Sequence, residues 1–258
     1  MSKIKNSKRD YVNESWQCVQ LGEPNKLKIC KTPVPDIADD EILIETKSFA
    51  VGFPDLLMVQ GKYQLKPHLP FTPCTELSGV VVRGGRKTIF STGQNVIANV
   101  RYGAASRFVA AKGDDCLALP SQLTFREGAA FLIANKTAYV GLISRGALTA
   151  KDSVLVAGAS GGVGLAALNL ARRTGAKVVA LVSTKEKLDF LEKRGFENVF
   201  LSGRDDLIDK VKEVCDGKGA DVIFDPVGGS LFKSLLRCSA PLGRILIVGF
   251  ADGLIPTV

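Results

Sequence analysis

One stretch in the middle of the chain restricts its fold more than any other: VLVAGASGGVGLAALNLARRTGAKVVAL, residues 154–181. An apolar, strand-like run ends in a G-x-x-G-x-x-G cluster, and a helical pattern begins at once. A turn without side chains lets the backbone approach a pyrophosphate, and the helix N-terminus that follows offers free N–H groups. This context predicts a dinucleotide-binding turn, and the alternative is a plain tight turn. We expect cofactor contacts from Gly158, Ser160, Gly161, Gly162, Val163 and Gly164.

The residues after the second strand of this stretch indicate which dinucleotide is bound. A site for NAD places Asp or Glu there, to hold the ribose 2′-hydroxyl. This chain has Ser183 and Thr184 at that point, followed by Lys185 and Lys187. Hydroxyl and ammonium groups suit a 2′-phosphate. Ser183, Thr184 and Lys187 are therefore predicted to contact NADPH; the alternative is that both lysines only solvate the next helix.

The pattern of strand-like and helix-like segments changes near residue 121. Up to that point, short β-rich runs such as EILIET, LSGVVV and NVIA are broken by Pro, Gly and Asp, which predicts a mainly β domain of the barrel or sandwich type. Beyond it, helix-length segments alternate with five short apolar strands, a pattern typical of a parallel sheet covered on both faces. In the helix after the glycines, the predicted buried face consists of Val163, Ala166, Ala167 and Leu170.

Composition excludes several kinds of site. The 258 residues carry a formal net charge of +8 and contain six scattered cysteines without a C-x-x-C pair, so neither a zinc ribbon nor a redox pair is indicated. His68 is the only histidine, which excludes a site that needs two imidazoles. No apolar run predicts a membrane span, and the polar N-terminus does not resemble a secretory signal. We expect a disordered arm over residues 1–15 and a cytoplasmic location, with the mitochondrion as the alternative.

The order of motifs resembles that of the medium-chain dehydrogenase/reductase superfamily, in its zinc-free quinone oxidoreductase (zeta-crystallin-like) branch. The motifs that follow the β-rich domain are TAYVGL, the glycine stretch, DVIFDPVGG and LGRILIVGF. The resemblance extends from about Trp16 to the C-terminus. It implies an α/β fold in which a GroES-like β-barrel over residues 16–125 precedes a Rossmann-type parallel sheet over residues 126–258.

The resemblance also implies that no metal is bound. Zinc-dependent alcohol dehydrogenases of this superfamily have a ligand Cys and a G-H-E motif where this chain has Gly52 and the pair Thr75-Glu76. Their four-cysteine structural lobe is missing as well. Alcohol oxidation is poorly supported without a Lewis acid. Hydride transfer to a quinone or an α,β-unsaturated carbonyl needs less from the protein, because the cofactor carries the chemistry.

Further site residues follow from matching positions in the family. Tyr63 in QGKY matches a substrate-facing Tyr and is the predicted catalytic residue, with a packed aromatic as the alternative. Gly52 replaces a family Asn, which removes a possible donor to the substrate carbonyl. Thr137 matches a residue near the nicotinamide, next to Lys136 where the family usually has Gly, and Lys187 matches the lysine at the 2′-phosphate. The remaining predicted cofactor contacts follow the fourth and fifth strands: Gly228 (alternatively a turn glycine), Gly249 and Phe250.

Three functions stay open at this point. The leading hypothesis is an NADPH-dependent reductase of quinones or enones. The second is an NADPH-binding protein with little turnover, acting as a sensor or interaction partner, which Gly52 and Lys136 favour. The third is nucleic-acid binding, which the net charge of +8 favours together with the resemblance to zeta-crystallin-like proteins, some of which bind RNA; no RNA motif supports it. The chain stops soon after the fifth strand, whereas family members continue into a sixth strand that forms the usual dimer edge. A homodimer is therefore an open expectation, and the fifth strand is expected at a sheet edge.

Overall fold

The computed structural model describes residues 12–254. The chain divides into two compact units between Leu132 and Ile133, whereas the sequence places the boundary between residues 125 and 126. We call the N-terminal part unit 1 and the C-terminal part unit 2. Within the described range, no helix is long and apolar enough to cross a membrane.

The predicted disordered arm reaches too far into the folded chain. Residues 1–11 lie outside the described residues, but β1 (Asn13–Gln17) pairs antiparallel with β2 (Lys28–Thr32). The prediction is wrong for residues 13–15 because a polar side chain orders them. Asn13 is buried; its Oδ1 accepts from the N–H of Phe108 (2.8 Å), and its Nδ2 donates to the carbonyl of Phe108 (3.2 Å). A search for apolar runs does not detect such side-chain pairing with the backbone.

Unit 1 is built on a five-stranded antiparallel sheet with the spatial order 6-3-4-5-7 in chain numbering. The strands are β3 (Glu41–Ala50), β4 (Glu76–Gly84), β5 (Asn95–Asn99), β6 (Phe108–Lys112) and β7 (Cys116–Ala118). Ile42 and Ile44 of β3 share one buried apolar cluster with Leu77 and Val81 of β4. The β-rich first half is therefore confirmed.

Two short α-helices complete the described part of unit 1. They are α1 (Phe53–Val59) and α2 (Phe125–Ala129). α2 begins with a capping box, because the hydroxyl of Thr124 accepts from the N–H of Glu127 (3.3 Å) while the Glu127 carboxylate accepts from the N–H of Thr124 (2.8 Å). α2 packs on β3 and β4.

Unit 2 contains a sheet of five parallel strands, as predicted, in the spatial order 10-9-8-11-12. The strands are β8 (Ser153–Val156), β9 (Lys177–Val182), β10 (Val199–Leu201), β11 (Ala220–Asp225) and β12 (Ser239–Ile247). β8 is buried along its whole length. Val154 and Val156 enter the apolar cluster on one face of the sheet, and Leu155 enters the cluster on the other.

Among the described residues, one helix precedes these strands and four others connect them. They are α3 (Leu132–Tyr139), which continues as a π-helix (Val140–Arg145), α4 (Gly162–Thr174), α5 (Lys185–Glu192), α6 (Leu207–Val214) and α7 (Phe232–Cys238). The strand order reverses at β8, with β9 on one side and β11 on the other. In sheets of this kind, ligands bind at the carboxyl ends of the strands beside such a switch point.

β12 departs from regular pairing near its start. Ala220 pairs with Ser239, but Val222 pairs with Arg244, so the residues between form a bulge. Leu242 in this bulge is fully exposed and has a φ of 62°. Among the described residues, β12 pairs with β11 alone.

The buried face of α4 differs from the predicted one. The two alanines in its middle are buried as expected, but Leu168 and Ala171 are fully buried, whereas Val163 and Leu170 are half-buried. The first turns of α4 are apolar on almost every side, so periodicity alone does not locate the face that packs on the sheet.

Replacing Leu168 by Ala is expected to lower the free energy of unfolding by about 2–5 kcal/mol, because it leaves a cavity between α4 and the sheet. Leu170→Ala on the same helix is the matched control and should cost clearly less, because Leu170 is already partly exposed. Urea unfolding followed by circular dichroism measures both values. Equal losses would contradict this assignment of the buried face.

Candidate dinucleotide site

The glycine turn brings α4 very close to the end of β8. A Cβ on Gly164 would lie 2.3 Å from the carbonyl oxygen of Gly158 and 2.8 Å from the Cα of Ala159, far inside contact distance. Gly158 has a φ of 57°, in the left-handed region that favours glycine. The backbone thus requires glycine at both positions, the first for its conformation and the second for the close packing of helix on strand.

The first turn of α4 presents free backbone donors. Gly161 is the N-cap, has no side chain that could cap the helix, and accepts the first helical bond from the N–H of Leu165 (2.8 Å). The N–H groups of Gly162, Val163 and Gly164 precede that bond, so they have no acceptor within the helix. Gly161 and Gly162 are exposed, and a Cβ on Gly162 would meet no atom within 4 Å. This arrangement offers an anion several donors and the positive end of the helix dipole.

The strand end after β9 brings together three of the predicted residues. Thr184 is the N-cap of α5, and its hydroxyl accepts from the N–H of Lys187 (3.3 Å). The Nζ of Lys187 donates to the Oγ of Ser183 (3.0 Å). All three residues are exposed. Within the described part of the chain, Lys187 forms no ion pair with a carboxylate, so its charge is available to an anion.

Lys185 has a different environment from Lys187. Its Nζ lies 2.7 Å from the Oδ1 of Asp189, one turn further along α5. The hydrogen bond to Asp189 raises the pKa of the Lys185 ammonium. Lys185 therefore interacts with the surface of its own helix, as the alternative reading of this lysine pair expects, whereas Lys187 turns toward the end of β9.

Two loops follow the carboxyl ends of β11 and β12, and they are hydrogen-bonded to each other. The N–H of Ala251 donates to the carbonyl of Pro226 (3.1 Å), and that of Asp252 donates to the carbonyl of Val227 (3.0 Å). These hydrogen bonds hold the two loops together at the same sheet edge as the glycine turn.

This pair of loops contains the last three predicted cofactor contacts. Gly228 has a φ of 66°, the left-handed conformation of a turn glycine, and a Cβ there would lie 3.4 Å from the Cα of Phe250. Gly249 lies directly before Phe250 in the second loop. The loops also contact the glycine turn, because a Cβ on Gly158 would lie 2.9 Å from the Cγ2 of Val227.

Asp225 belongs to this edge but is absent from the sequence-based set of site residues. It is the last residue of β11 and is fully buried. Its Oδ1 accepts from the N–H groups of Val227 (2.9 Å) and Gly228 (3.0 Å). Its Oδ2 is buried without a hydrogen-bond partner among the described residues. The available signal was an acid at the end of an apolar parallel strand, DVIFD, where a buried charge is unusual.

Thr137 lies on the helix that approaches the same edge. Gly141, one turn later in the π-helix, packs on β11, since a Cβ there would lie 2.7 Å from the Cε2 of Phe224. Further along, the carbonyl of Gly146 accepts from Arg244 (2.6 Å), near the start of the regular part of β12. The helix thus runs from the carboxyl edge of the sheet toward its amino edge. Thr137 is half-buried, one turn nearer to the carboxyl edge than Gly141.

Tyr63 lies in unit 1, shortly after α1. It is half-buried and packs against a small cluster that contains Cys18, Met58, Val59 and Phe71. The contacts with this cluster are those expected of a packed aromatic, and the exposed part of Tyr63 is still accessible to a substrate.

The residues at the positions of zinc ligands do not fit a zinc ion. Gly52 has no side chain, and its N–H donates to the Oδ2 of Asp55 (2.8 Å). The carbonyl of Thr75 accepts from the N–H of Val100 (2.7 Å). Burial raises the pKa of the neighbouring Cys74 thiol to about 12, so it is a neutral thiol near pH 7. Across residues 12–254, no group of three or more His, Cys, Asp and Glu side chains is placed to hold a metal ion.

Two protein-family models match the chain. One, described as alcohol dehydrogenase GroES-like domain, matches residues 38–154, and the other, described as zinc-binding dehydrogenase, matches residues 162–257. Among sequence relatives, a quinone oxidoreductase-like protein 2 homolog of Nematostella vectensis is 39% identical over 250 residues, which are 93% of this chain and 66% of that protein. Human quinone oxidoreductase is 33% identical over 233 residues, which are 89% of this chain and 71% of the human protein. The chain thus spans about two thirds of the length of these relatives.

Solved structures agree with the sequence relatives. The native structure of a mycobacterial protein complexed with NADPH matches this chain with a TM-score of 0.87 at 28% identity. The match covers 95% of this chain and 76% of the mycobacterial chain. A quinone oxidoreductase of Pseudomonas syringae has a TM-score of 0.86 at 26% identity, with the same coverage of 95% and 76%. These matches confirm the predicted GroES-like domain and Rossmann-type sheet. The chain belongs to the medium-chain dehydrogenase/reductase superfamily, in its zeta-crystallin-like quinone oxidoreductase branch.

Proposed function

We propose that this chain is an oxidoreductase that uses NADPH, without zinc, to reduce a quinone or an α,β-unsaturated carbonyl. The observation that carries the proposal is the ammonium of Lys187 beside the hydroxyl of Ser183, at the same sheet edge as the free N–H groups of α4. An adenosine 2′-phosphate and a pyrophosphate are the anions that such a pair of sites would hold. The mycobacterial neighbour complexed with NADPH supports the cofactor, and the names of the relatives support the acceptor.

The residues of unit 2 would bind and orient the cofactor. The N–H groups of Gly162, Val163 and Gly164 would hold the pyrophosphate, and Lys187 would neutralise the 2′-phosphate. Thr137 and the loops after β11 and β12 would contact the nicotinamide half. When bound, NADPH supplies a hydride, which together with a proton from water converts a quinone to a hydroquinone by two electrons.

The acceptor side of the proposal draws on unit 1. Tyr63 is proposed as the residue that faces the substrate, since part of it is accessible. A zinc ion is left out of the proposal because Gly52 and Thr75 supply no ligand side chain. A quinone needs no Lewis acid to accept hydride, because its carbonyl groups already draw electrons from the ring.

The second candidate is an NADPH-binding protein with little turnover, which Gly52 favours because it offers the substrate carbonyl no side chain. NADPH titration by fluorescence, beside NADPH consumption with 1,2-naphthoquinone or a 2-alkenal, separates the two candidates. We expect saturable binding together with consumption that depends on the acceptor. Saturable binding without turnover across a panel of acceptors would refute the enzyme and leave the second candidate.

Lys187→Ala is expected to raise the Kd for NADPH by about tenfold or more, because it removes a charge-assisted contact to the 2′-phosphate. The Kd for NADH should change by less than about twofold, because NADH has no phosphate at this position. Lys185→Ala is the matched control, since Lys185 is paired with Asp189, and it should change neither value by much. Equal losses for NADPH and NADH, or for both variants, would contradict the assignment.

Two glycine variants separate the architecture of the turn from its contact with phosphate. Gly164→Ala should lower both the unfolding temperature and NADPH binding, because its Cβ overlaps the backbone of Gly158. Gly162→Ala should leave the unfolding temperature nearly unchanged, because nothing lies within 4 Å of its Cβ. Its methyl group should still weaken NADPH binding, since it extends into the space assigned to the pyrophosphate. Thermal unfolding and NADPH titration check this; undiminished binding by Gly162→Ala would argue against phosphate at this turn.

A further inference from the structure

We infer that Asp225 is a positioning residue for the dinucleotide, which holds the loops after β11 and β12 in the shape that cofactor binding requires. The inference rests on the proposed function and adds to it a residue that does not touch the cofactor itself. Two kinds of contact support it, one through the side chain of Asp225 and one through its backbone.

The side chain of Asp225 shapes the first loop. Its Oδ1 accepts from the N–H of Val227 (2.9 Å) and from the N–H of Gly228 (3.0 Å). Two donors that converge on one oxygen turn the chain sharply after β11, and they do so where Gly228 takes a left-handed φ. The conformation of this loop therefore depends on an acceptor at Oδ1.

The backbone carbonyl of Asp225 holds the second loop through hydrogen bonds. Its carbonyl accepts from the N–H groups of Val248 (2.8 Å) and Gly249 (3.3 Å), just after β12 ends. Asp225 is thus bonded to both loops, and a change in its position would displace the two together. Gly228, Gly249 and Phe250 depend on this residue for their arrangement.

A chain of contacts leads from Asp225 to the glycine turn. Asp225 holds the N–H of Val227, and the Cγ2 of Val227 lies against Gly158, within 2.9 Å of where a Cβ would stand. Gly158 is the residue whose left-handed conformation begins the turn. The first loop consequently supports the turn that would hold the pyrophosphate.

The other oxygen of Asp225 takes no part in holding the loops, so the side chain acts on them through Oδ1. Oδ2 is buried without a hydrogen-bond partner among residues 12–254, whereas buried polar atoms are normally paired. Asp221, four residues earlier on β11, shows the ordinary arrangement, since its Oδ2 accepts from both the N–H (2.8 Å) and the Oγ (2.7 Å) of Ser153. Asp221 lies at the opposite end of the strand from the dinucleotide edge.

Asp221 therefore provides a matched control on the same strand. The experiment titrates NADPH and NADH by fluorescence into the wild type, Asp225→Ala, Asp225→Asn and Asp221→Ala, at a temperature well below unfolding. Asp225→Ala should raise the Kd for both dinucleotides by about tenfold, because two hydrogen bonds that hold the loop are lost. Asp225→Asn keeps an oxygen that can stand at Oδ1 and should stay within about threefold of the wild type. Asp221→Ala should lower the unfolding temperature without changing either Kd.

Amide hydrogen exchange of the free protein provides a readout that does not depend on binding. Asp225→Ala should accelerate exchange at Val227, Gly228 and Gly249, whereas Asp221→Ala should not. If Asp225→Ala does not fold, Val227→Ala tests the next contact in the chain and should also raise both Kd values. An unchanged Kd in that variant would overturn the inference.

The possible failures are distinguishable. A wild type that binds while Asp225→Ala and Asp221→Ala lose affinity equally overturns the role of Asp225 and leaves the proposed function standing. A wild type that binds neither dinucleotide refutes the proposed function, and this inference falls with it.

Discussion

The close approach of Gly164 to the carbonyl oxygen of Gly158 is the constraint on which the glycine turn, at the carboxyl edge of the parallel sheet, depends. No Cβ fits between them, so the end of β8 and the first turn of α4 lie closer than side chains would allow. This approach places the N-terminus of α4 directly over the end of the central strand. The same turn is fastened to the next strand, because the N–H of Ala159 donates to the carbonyl of Leu181 (3.0 Å). Close contacts between backbone atoms thus bring the donors to the end of β8.

The positive charge that a ligand meets at this edge depends on where each lysine lies more than on the net charge of the chain. The chain has a formal net charge of +8, yet of the two lysines beside the end of β9 only Lys187 is turned toward the strand end. Asp189 holds Lys185 on the surface of α5. A difference of two positions in sequence therefore separates a lysine that is available to a ligand from one that stabilises its own helix.

Sequence patterns predicted the parts of the fold that follow from periodicity, and they missed the parts that follow from polar groups acting on the backbone. The five parallel strands were recognisable because each is a short apolar run bounded by helical patterns. The order of residues 13–15 depends on the side chain of Asn13, and the shape of the loop after β11 depends on the side chain of Asp225. The buried face of α4 was also missed, because an apolar helix surface leaves no contrast to detect. The glycine turn was recognisable because its steric demand leaves so few residues that fit.

The irregular start of β12 limits how much of this strand is regular. An apolar strand at the edge of a sheet is a template on which other chains can add strands and aggregate. Here the bulge around Leu242 interrupts the ladder, and regular pairing with β11 continues only from Arg244 to Ile247. Arg244 within that short segment is engaged with Asp152 (2.8 Å), so a charged side chain stands among the apolar ones. Within residues 12–254, the bulge and this ion pair thus shorten the stretch of β12 that is both regular and apolar.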